Sequence, residues 1–404
     1  MPEPMAVIER HYDDSYVRDL LVRLARVPTD VPLGAFEIDP TDPKIRHFVH
    51  DVARPEVERL GLGPVVIDEL NNLVVREGSG AASPTLLFMA YTVAQHGNDT
   101  APGLEGRLMN ARPFGLDEES VFGKGTSQGK GGLAAALGAL KILRDGNVKL
   151  RGSLILAVNN EAQSSHRCSR RIIDGHQIRA EHGIVAIGTP TLSIGNRGRV
   201  DIVVTIRGQV AHSSQPARGR NAIWGARAAL DRIEHLHRRL NRTHPRLGRE
   251  QVEPYRLVLE PIAPHTLPDR AILTLDRRLL PGTTVEEAVA EVSRELTGLE
   301  PFEVEAAASV FQLPAEVPEL APIVARLSAA HQAVTGRPAS VGTVPFSFDA
   351  GYACSQGIQT VMFGPTSAAR GVTGTETIST EFVPVSVVRE FTKIYAHTFM
   401  TLLG

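Results

Sequence analysis

Apolar positions recur at helical spacing over residues 15–26 and 44–60, which predicts two amphipathic helices near the start of the chain. Val65-Val66-Ile67 and Leu73-Val74-Val75 read as a pair of short strands. A continuous apolar run, Thr85 to Ala90, then gives way to polar residues, the pattern of a central parallel strand whose carboxyl end opens on a site. A glycine-rich turn, Gly123 to Gly132, leads into an alanine-rich helix over 133–143, and Ser153 to Val158 predicts another buried strand ending in Asn159-Asn160-Glu161. Strand, helix and strand in this order describe an open α/β sheet, where ligands gather outside the carboxyl ends.

Near residue 195 the texture changes. Arg199 to Arg207 alternates as a half-exposed strand does, and is followed by a long helix over 222–242, a strand over 270–276 and a helix over 285–296. Two strands and two helices predict a small α+β insert with an antiparallel sheet. Residues 314–322 read as the return linker, after which Thr360 to Phe363 supplies a further core strand. The division expected is one α/β domain over 1–193 and 312–404, interrupted by an insert over 194–311.

Composition changes this picture little. At 404 residues the chain exceeds one ordinary core, and 42% hydrophobic with 22% charged residues is a common globular balance. A net charge of −2 gives no electrostatic reason to expect nucleic acid or an acidic membrane surface as partner. No stretch approaches the roughly 20 apolar residues that span a bilayer, and the start lacks the basic and apolar runs of a signal peptide. Cys168 and Cys354 stand far apart in no metal-like spacing. A cytoplasmic protein is the expectation.

The order of motifs resembles the family of dinuclear zinc enzymes that contains acetylornithine deacetylase, succinyl-diaminopimelate desuccinylase, aminoacylase and glutamate carboxypeptidase. The segment Gly208-Gln-Val-Ala-His212-Ser-Ser-Gln-Pro216 with Gly219-Arg-Asn221-Ala is similar to the family's lid signature. Gly123 to Gly132, Leu275-Asp-Arg-Arg278 with Pro281-Gly282, Phe348-Asp349-Ala350, Phe363-Gly-Pro365 and Glu376 follow in the matching order. The resemblance implies an α/β fold: an open mixed-sheet, zinc-peptidase-like catalytic domain with an inserted α+β lid through which two copies pair as a homodimer.

It also implies five metal-binding side chains, and each can be looked up. The histidine that ends the strand at 90 becomes Tyr91, and the bridging aspartate becomes Gln128. The second glutamate after Asn160-Glu161 becomes Ala162, the next acid falls on Gly183 or Thr189, and the terminal histidine, four residues before Glu376, falls on Val372. Zinc needs carboxylate, thiolate or imidazole ligands, so the expectation is no metal and no other cofactor. A relocated site built from His96, Asp99, His166 and Cys168 has no recognisable ligand spacing.

Other family positions stand. Glu161 matches the general base, His212 the lid histidine, and Asn221 and Arg278 the residues that hold the substrate's polar end. Tyr91 and Gln128 are candidate hydrogen-bonding groups for substrate at the old metal positions. Lys130 staples the glycine turn or neutralises it. A base and a donor can run proton transfer or acyl chemistry without metal. The expectation is therefore an enzyme acting on a small amino-acid-derived carboxylate or amide by cyclisation, condensation, acyl transfer or elimination. The alternatives are a non-catalytic binding or regulatory homologue and an amidohydrolase with a relocated metal.

Overall fold

The computed structural model describes all residues except 1–2, 33–34, 36–37, 79–83, 95–102, 162–164 and 373–380. The chain forms two compact units, one of residues 1–195, 315–344 and 352–404, the other of residues 196–314 and 345–351.

The first unit is built on a nine-stranded mixed sheet among the described residues. Its strands run in the order Val65–Ile67, Leu73–Gly78, Ser153–Asn159, Thr85–Tyr91, His182–Val185, Gln359–Met362, Leu192–Asn196 and Ala315–Glu316, with Val341–Val344 beside Leu192–Asn196. The centre is parallel: Thr85–Tyr91 lies between Ser153–Asn159 and His182–Val185, and all three point the same way. Both apolar runs read from the sequence are these central strands, and every residue of Ser153–Asn159 is buried. A strand covered on both faces needs such an unbroken run.

The covering helices explain the rest of the core. Gly131–Asp145 is buried along almost its whole length because alanine and glycine let it lie close to the sheet. A Cβ on Gly132 would come within 2.3 Å of the Ala186 carbonyl oxygen, so glycine there permits the approach. The final helix, Val385–Leu403, packs beside it and sends Tyr395 and Phe399 edge-on against Phe88 of the central strand, at 4.8 and 5.7 Å. The Tyr395 hydroxyl donates to the Phe363 carbonyl at 2.6 Å. Residues 15–26 and 44–60 are helical much as the periodicity predicts.

The second unit carries a four-stranded antiparallel sheet in the order Gln251–Glu260, Arg270–Leu279, Gly198–Arg207, Glu303–Gln312. Helices Ala222–Arg239 and Val285–Glu295 cover one face of it and enclose a core of Val200, Ile202, Val204, Ile206, Leu273 and Leu275 with Ala226, Ile233 and Val292. The sequence predicts two strands here and this sheet has four. The missed pair are the sheet's two edges, about half of whose residues are exposed and which pack only a few apolar side chains on the core, Val252 and Leu259 on one and Val304, Ala306 and Phe311 on the other. Residues 315–316, expected to be linker, add a short strand to the first unit's sheet.

Candidate functional site

The first unit's parallel strands end together, and their carboxyl ends carry the polar residues picked out from sequence. Tyr91 and Asn159 are register partners at the ends of adjacent strands. Both are buried, and the Asn159 side-chain amide donates to the Tyr91 hydroxyl at 3.2 Å and to Ser169 Oγ at 2.9 Å. The Asn159 carbonyl oxygen of the side chain in turn accepts from Glu161 N–H at 2.7 Å.

Asn160 is held from three sides. Its N–H donates to Asn72 Oδ1 at 3.2 Å, its Nδ2 to the Leu70 carbonyl at 3.1 Å, and its Oδ1 accepts from Thr92 Oγ1 at 2.7 Å. Asn72 is anchored by the buried Asp68 carboxylate, which also accepts Leu70 and Asn72 backbone N–H groups. Glu161 follows, fully buried, with its Oε2 accepting the Cys168 N–H at 2.8 Å. Burial of a carboxylate is costly unless donors meet it, and this backbone donor is one that does.

The glycine turn arrives at the same strand ends. A Cβ on Gly129 would lie 2.4 Å from the Tyr91 carbonyl oxygen, so the turn rests directly on the end of the Thr85–Tyr91 strand. The turn is organised by an acid that sequence reasoning missed. Glu381 is fully buried, and its carboxylate accepts from the backbone N–H groups of Gly125 (2.8 Å), Ser127 (2.8 Å) and Gln128 (3.0 Å) and from Gln128 Nε2 (3.3 Å). Successive N–H groups pointing into one concavity make an anion nest, here filled by the chain's own side chain. Burial pushes the Glu381 pKa up to about 7, against the three backbone donors and Lys130, which favour the ionised form. Lys130 is also fully buried; its ammonium donates to the Val27 and Lys124 carbonyls at 2.6 and 2.7 Å, and burial presses its pKa down to about 7. It staples the turn.

Glu376, the acid matched above, lies outside the described residues, as do Ala162, His96 and Asp99. The acid that the structure ties to the glycine turn is Glu381. Four residues before it stands Thr377, which offers only a hydroxyl where the resemblance calls for a histidine.

The positions that the resemblance assigns to metal do not fit a zinc pair. Tyr91 is a buried phenol bonded to an amide, and Gln128 is a neutral amide directed at Glu381. Gly183 has no side chain, and a Cβ there would meet Thr360 Oγ1 at 2.2 Å, leaving no room for a carboxylate. Thr189 is buried and donates its hydroxyl to the Met362 carbonyl at 3.3 Å, while Val372 packs on the small cluster of Ala111, Phe122 and Phe382. Among the described residues no three His, Cys, Asp or Glu side chains group so as to hold a metal ion. His166 stands at the N-cap of the helix Arg167–Arg170 and Cys168 lies within it.

The remaining candidates belong to the second unit. His212 is exposed on the two-residue strand Ala211–His212, which pairs with Thr266–Leu267, and its Nδ1 lies 2.8 Å from Ser214 Oγ. Asn221 caps the helix Ala222–Arg239 by accepting the Ile223 N–H at 3.0 Å. Arg278 forms an ion pair with Asp276 of its own strand at 2.7 Å. Each of the three thus has a local structural partner in addition to the role inferred from the resemblance.

Comparison with known proteins places this arrangement. The uncharacterized protein YgeY of Escherichia coli (strain K12) is 29% identical over 253 residues, 61% of this chain and 60% of that one. The chain therefore spans about 60% of the length of this relative. Acetylornithine deacetylase of Klebsiella pneumoniae is 33% identical over 169 residues, 41% of each chain. Among solved structures, a metallo-carboxypeptidase of Sulfolobus solfataricus superposes with a TM-score of 0.74 at 16% identity, covering 95% of this chain and 98% of that one. The model of Peptidase family M20/M25/M40 matches residues 98–401, and this chain belongs to that family.

Proposed function

We propose that this chain is an enzyme of the family's peptidase and amidohydrolase fold that works without the metal pair, moving protons with Glu161 on a small amino-acid-derived carboxylate or amide. One observation carries the reading. The matched metal positions lack zinc donors, whereas Glu161, the matched general base, is retained and fully buried at the carboxyl ends of the central strands. Metal-bound water is what the ordinary hydrolysis requires. Without it, an acyl group is directed to other acceptors, and cyclisation, condensation, acyl transfer or elimination becomes the favoured class. Tyr91 and Gln128 are the groups proposed to meet substrate in the first unit, and His212, Asn221 and Arg278 those from the lid. Pairing of two copies through the lid is part of the same proposal, supported by Ile223 and Trp224, 41% and 60% exposed near the start of the helix Ala222–Arg239.

A second reading, a binding homologue without turnover, is favoured by one feature: Arg278, the matched carboxylate anchor, is paired with Asp276. The two separate on activity. The test is elemental analysis of the purified chain, followed by turnover of a panel of N-acyl amino acids and dipeptides, with and without an added amine acceptor and a chelator. The expected result is under about 0.1 zinc per chain, product formation insensitive to chelator, and loss of at least about 100-fold in Glu161→Gln. About two zinc per chain, or chelator-sensitive hydrolysis, would overturn the proposal. A Glu161→Gln variant with unchanged turnover would remove Glu161 from it.

A further inference from the structure

Four charged side chains of the second unit's sheet stand in an order that stability does not favour. Strands Gly198–Arg207 and Arg270–Leu279 are antiparallel neighbours, and their register sets Arg199 opposite Arg278 and Asp201 opposite Asp276. Val200 and Ile202, with Leu275 and Leu279 of the neighbouring strand, are buried in the core under the helices, so the four charged residues share the other face. Like charges directly opposite across a sheet destabilise it, whereas opposite charges stabilise it. Each arginine is instead matched along its own strand, Arg278 with Asp276 at 2.7 Å and Arg199 with Asp201 at 3.4 Å. The result is a row of two guanidiniums beside a row of two carboxylates.

Both rows carry unmet polar atoms. Gln312 of the edge strand stands opposite Arg199 and extends the arginine row. It is 1% exposed, its Oε1 accepts the Ser347 hydroxyl at 2.7 Å, and its Nε2 meets no partner among the described residues. A buried amide that donates nothing is costly, and it points to an acceptor that binds beside it. In the acid row, Oδ1 of Asp201 and Oδ1 of Asp276 are buried and accept no hydrogen bond among the described residues. Asp201 is 3% exposed, and its Oδ2 accepts the Tyr255 hydroxyl at 2.9 Å. Burial pushes the Asp201 pKa up against Arg199 and Tyr255, and Asp276 adds to the rise. A cation set between the two acids relieves their repulsion.

We propose that the two rows form a subsite for the head of a free α-amino acid, with its carboxylate on Arg199, Arg278 and Gln312 and its ammonium on Asp201 and Asp276. The proposal rests on the reading that Arg278 holds the substrate's polar end, and it narrows that end from an anion to a zwitterion. Neighbouring rows on one face lie two residues apart along the strand, about 7 Å. An ammonium and a carboxylate on one carbon fit between them with a charge-assisted bond of about 2.8 Å at each end. The Arg278–Asp276 pair is then a resting state, in which each group holds the other until the ligand supplies both with partners. A carboxylate alone breaks that pair and strands Asp276. Tyr255 is a positioning residue that fixes the Asp201 carboxylate. The reacting amide of such a substrate lies away from the head, on its side chain.

The experiment titrates the full chain near neutral pH with three matched probes and reads binding by saturation-transfer NMR. They are L-norvaline, pentanoate, which lacks its ammonium, and butylamine, which lacks its carboxylate. Norvaline is expected to bind about 30-fold or more tighter than either, because each of the others forfeits its charged hydrogen bonds at one row. Asp276→Asn is expected to weaken norvaline by about tenfold or more and to leave pentanoate as tight or tighter, whereas Arg278→Gln weakens both. Pentanoate that binds as tightly as norvaline, norvaline affinity unchanged in Asp276→Asn, or no norvaline binding at about 20 mM overturns the proposal. Where Asp276→Asn does not fold, Asp201→Asn serves with the same outcomes. The readout needs neither turnover nor metal. Zinc in the purified chain or chelator-sensitive hydrolysis therefore sinks the metal-independent reading and leaves this subsite standing, whereas equal binding of norvaline and pentanoate by zinc-free protein sinks the subsite alone.

Discussion

Replacing Glu381 by glutamine keeps its shape and removes its charge, and the consequence depends on pH in a calculable way. The unfolded carboxyl titrates near 4.5 and the folded one near 7. Below the unfolded value both states are protonated, and Glu381 contributes no pH dependence. Between about 4.5 and 7 the unfolded chain loses a proton that the folded chain keeps, so stability falls as pH rises, and above 7 the loss is complete. At about 1.36 kcal/mol per pH unit, the change between pH 5 and pH 8 comes to about 2.5 kcal/mol. Glu381→Gln abolishes that term. Lys130 adds in the same direction, because without the neighbouring negative charge its pKa, already pressed to about 7, falls further. At pH 5 the variant is the less stable, since glutamine turns an NH2 toward donors that the acid's oxygens accept, and one unmet backbone N–H costs about 1–3 kcal/mol. By pH 8 the gap narrows by about 2.5 kcal/mol or more, or closes. Urea unfolding followed by circular dichroism at both pH values measures the difference. A gap that changes by less than about 0.5 kcal/mol would refute both the raised pKa and the view of the turn as a nest closed by an ionisable side chain.

Two further predictions concern the second unit. Arg277 is fully buried between Glu250 and Glu291, at 2.6 and 2.7 Å, so Arg277→Met strands a buried acid and is expected to cost about 3–5 kcal/mol, read from urea unfolding of this unit through the fluorescence of Trp224, the chain's single tryptophan. The companion change Glu250→Leu in the same chain is expected to recover more than half of that loss, and a double variant as unstable as the single would argue against a mainly electrostatic penalty. Pairing through the lid predicts a dimer in sedimentation equilibrium that Trp224→Glu converts to monomer; a wild-type chain that sediments as a monomer at about 50 μM excludes it.

The sequence carries the two central strands of the first unit plainly, because strands buried on both faces read as unbroken apolar runs: Thr85–Tyr91 and Ser153–Asn159 begin where expected and extend one residue beyond. The helix after the glycine turn is equally plain. The edge strands Gln251–Glu260 and Glu303–Gln312 are harder to see, since Pro254 interrupts the first and the second alternates only over Glu303 to Ala306 before the Ala306 to Ala308 run ends the period. The last helix, Val385–Leu403, carries a legible pattern: Val387, Val388, Phe391, Ile394, Tyr395 and Phe399 fall at helical spacing. Of the site, Tyr91, Gln128 and Glu161 are visible because they occupy motif positions. Glu381 is not, because the turn it fills is more than 250 residues away in sequence and no local pattern marks a carboxylate whose partners are backbone N–H groups. His166 was visible only as a possible metal ligand; its left-handed backbone and its stack on Tyr352 are features of the fold.

The strand ends carry a charge balance that bears on the metal-independent reading. A dinuclear site gathers several carboxylates that repel one another unless metal lies between them. Here Asn159, Asn160 and Gln128 are neutral amides bonded to Tyr91 and Ser169, to Thr92 and Leu70, and to Glu381. The two acids, Glu161 and Glu381, each accept backbone N–H groups. Restoring one acid tests this balance. In Gln128→Asp the amide that donates to Glu381 at 3.3 Å becomes a second carboxylate about 5 Å from the first. At an effective dielectric of about 20 that repulsion is roughly 3 kcal/mol, reduced to about 1–3 kcal/mol because residue 128 is half-exposed. The variant is therefore expected to lose about 1–3 kcal/mol at pH 8 and much less at pH 5, where Glu381 is protonated, and added zinc is expected not to restore it. A variant as stable as the wild type at pH 8 would show that position 128 is insensitive to charge. Full rescue by zinc would show instead that a metal site survives in these strand ends, one substitution from completion.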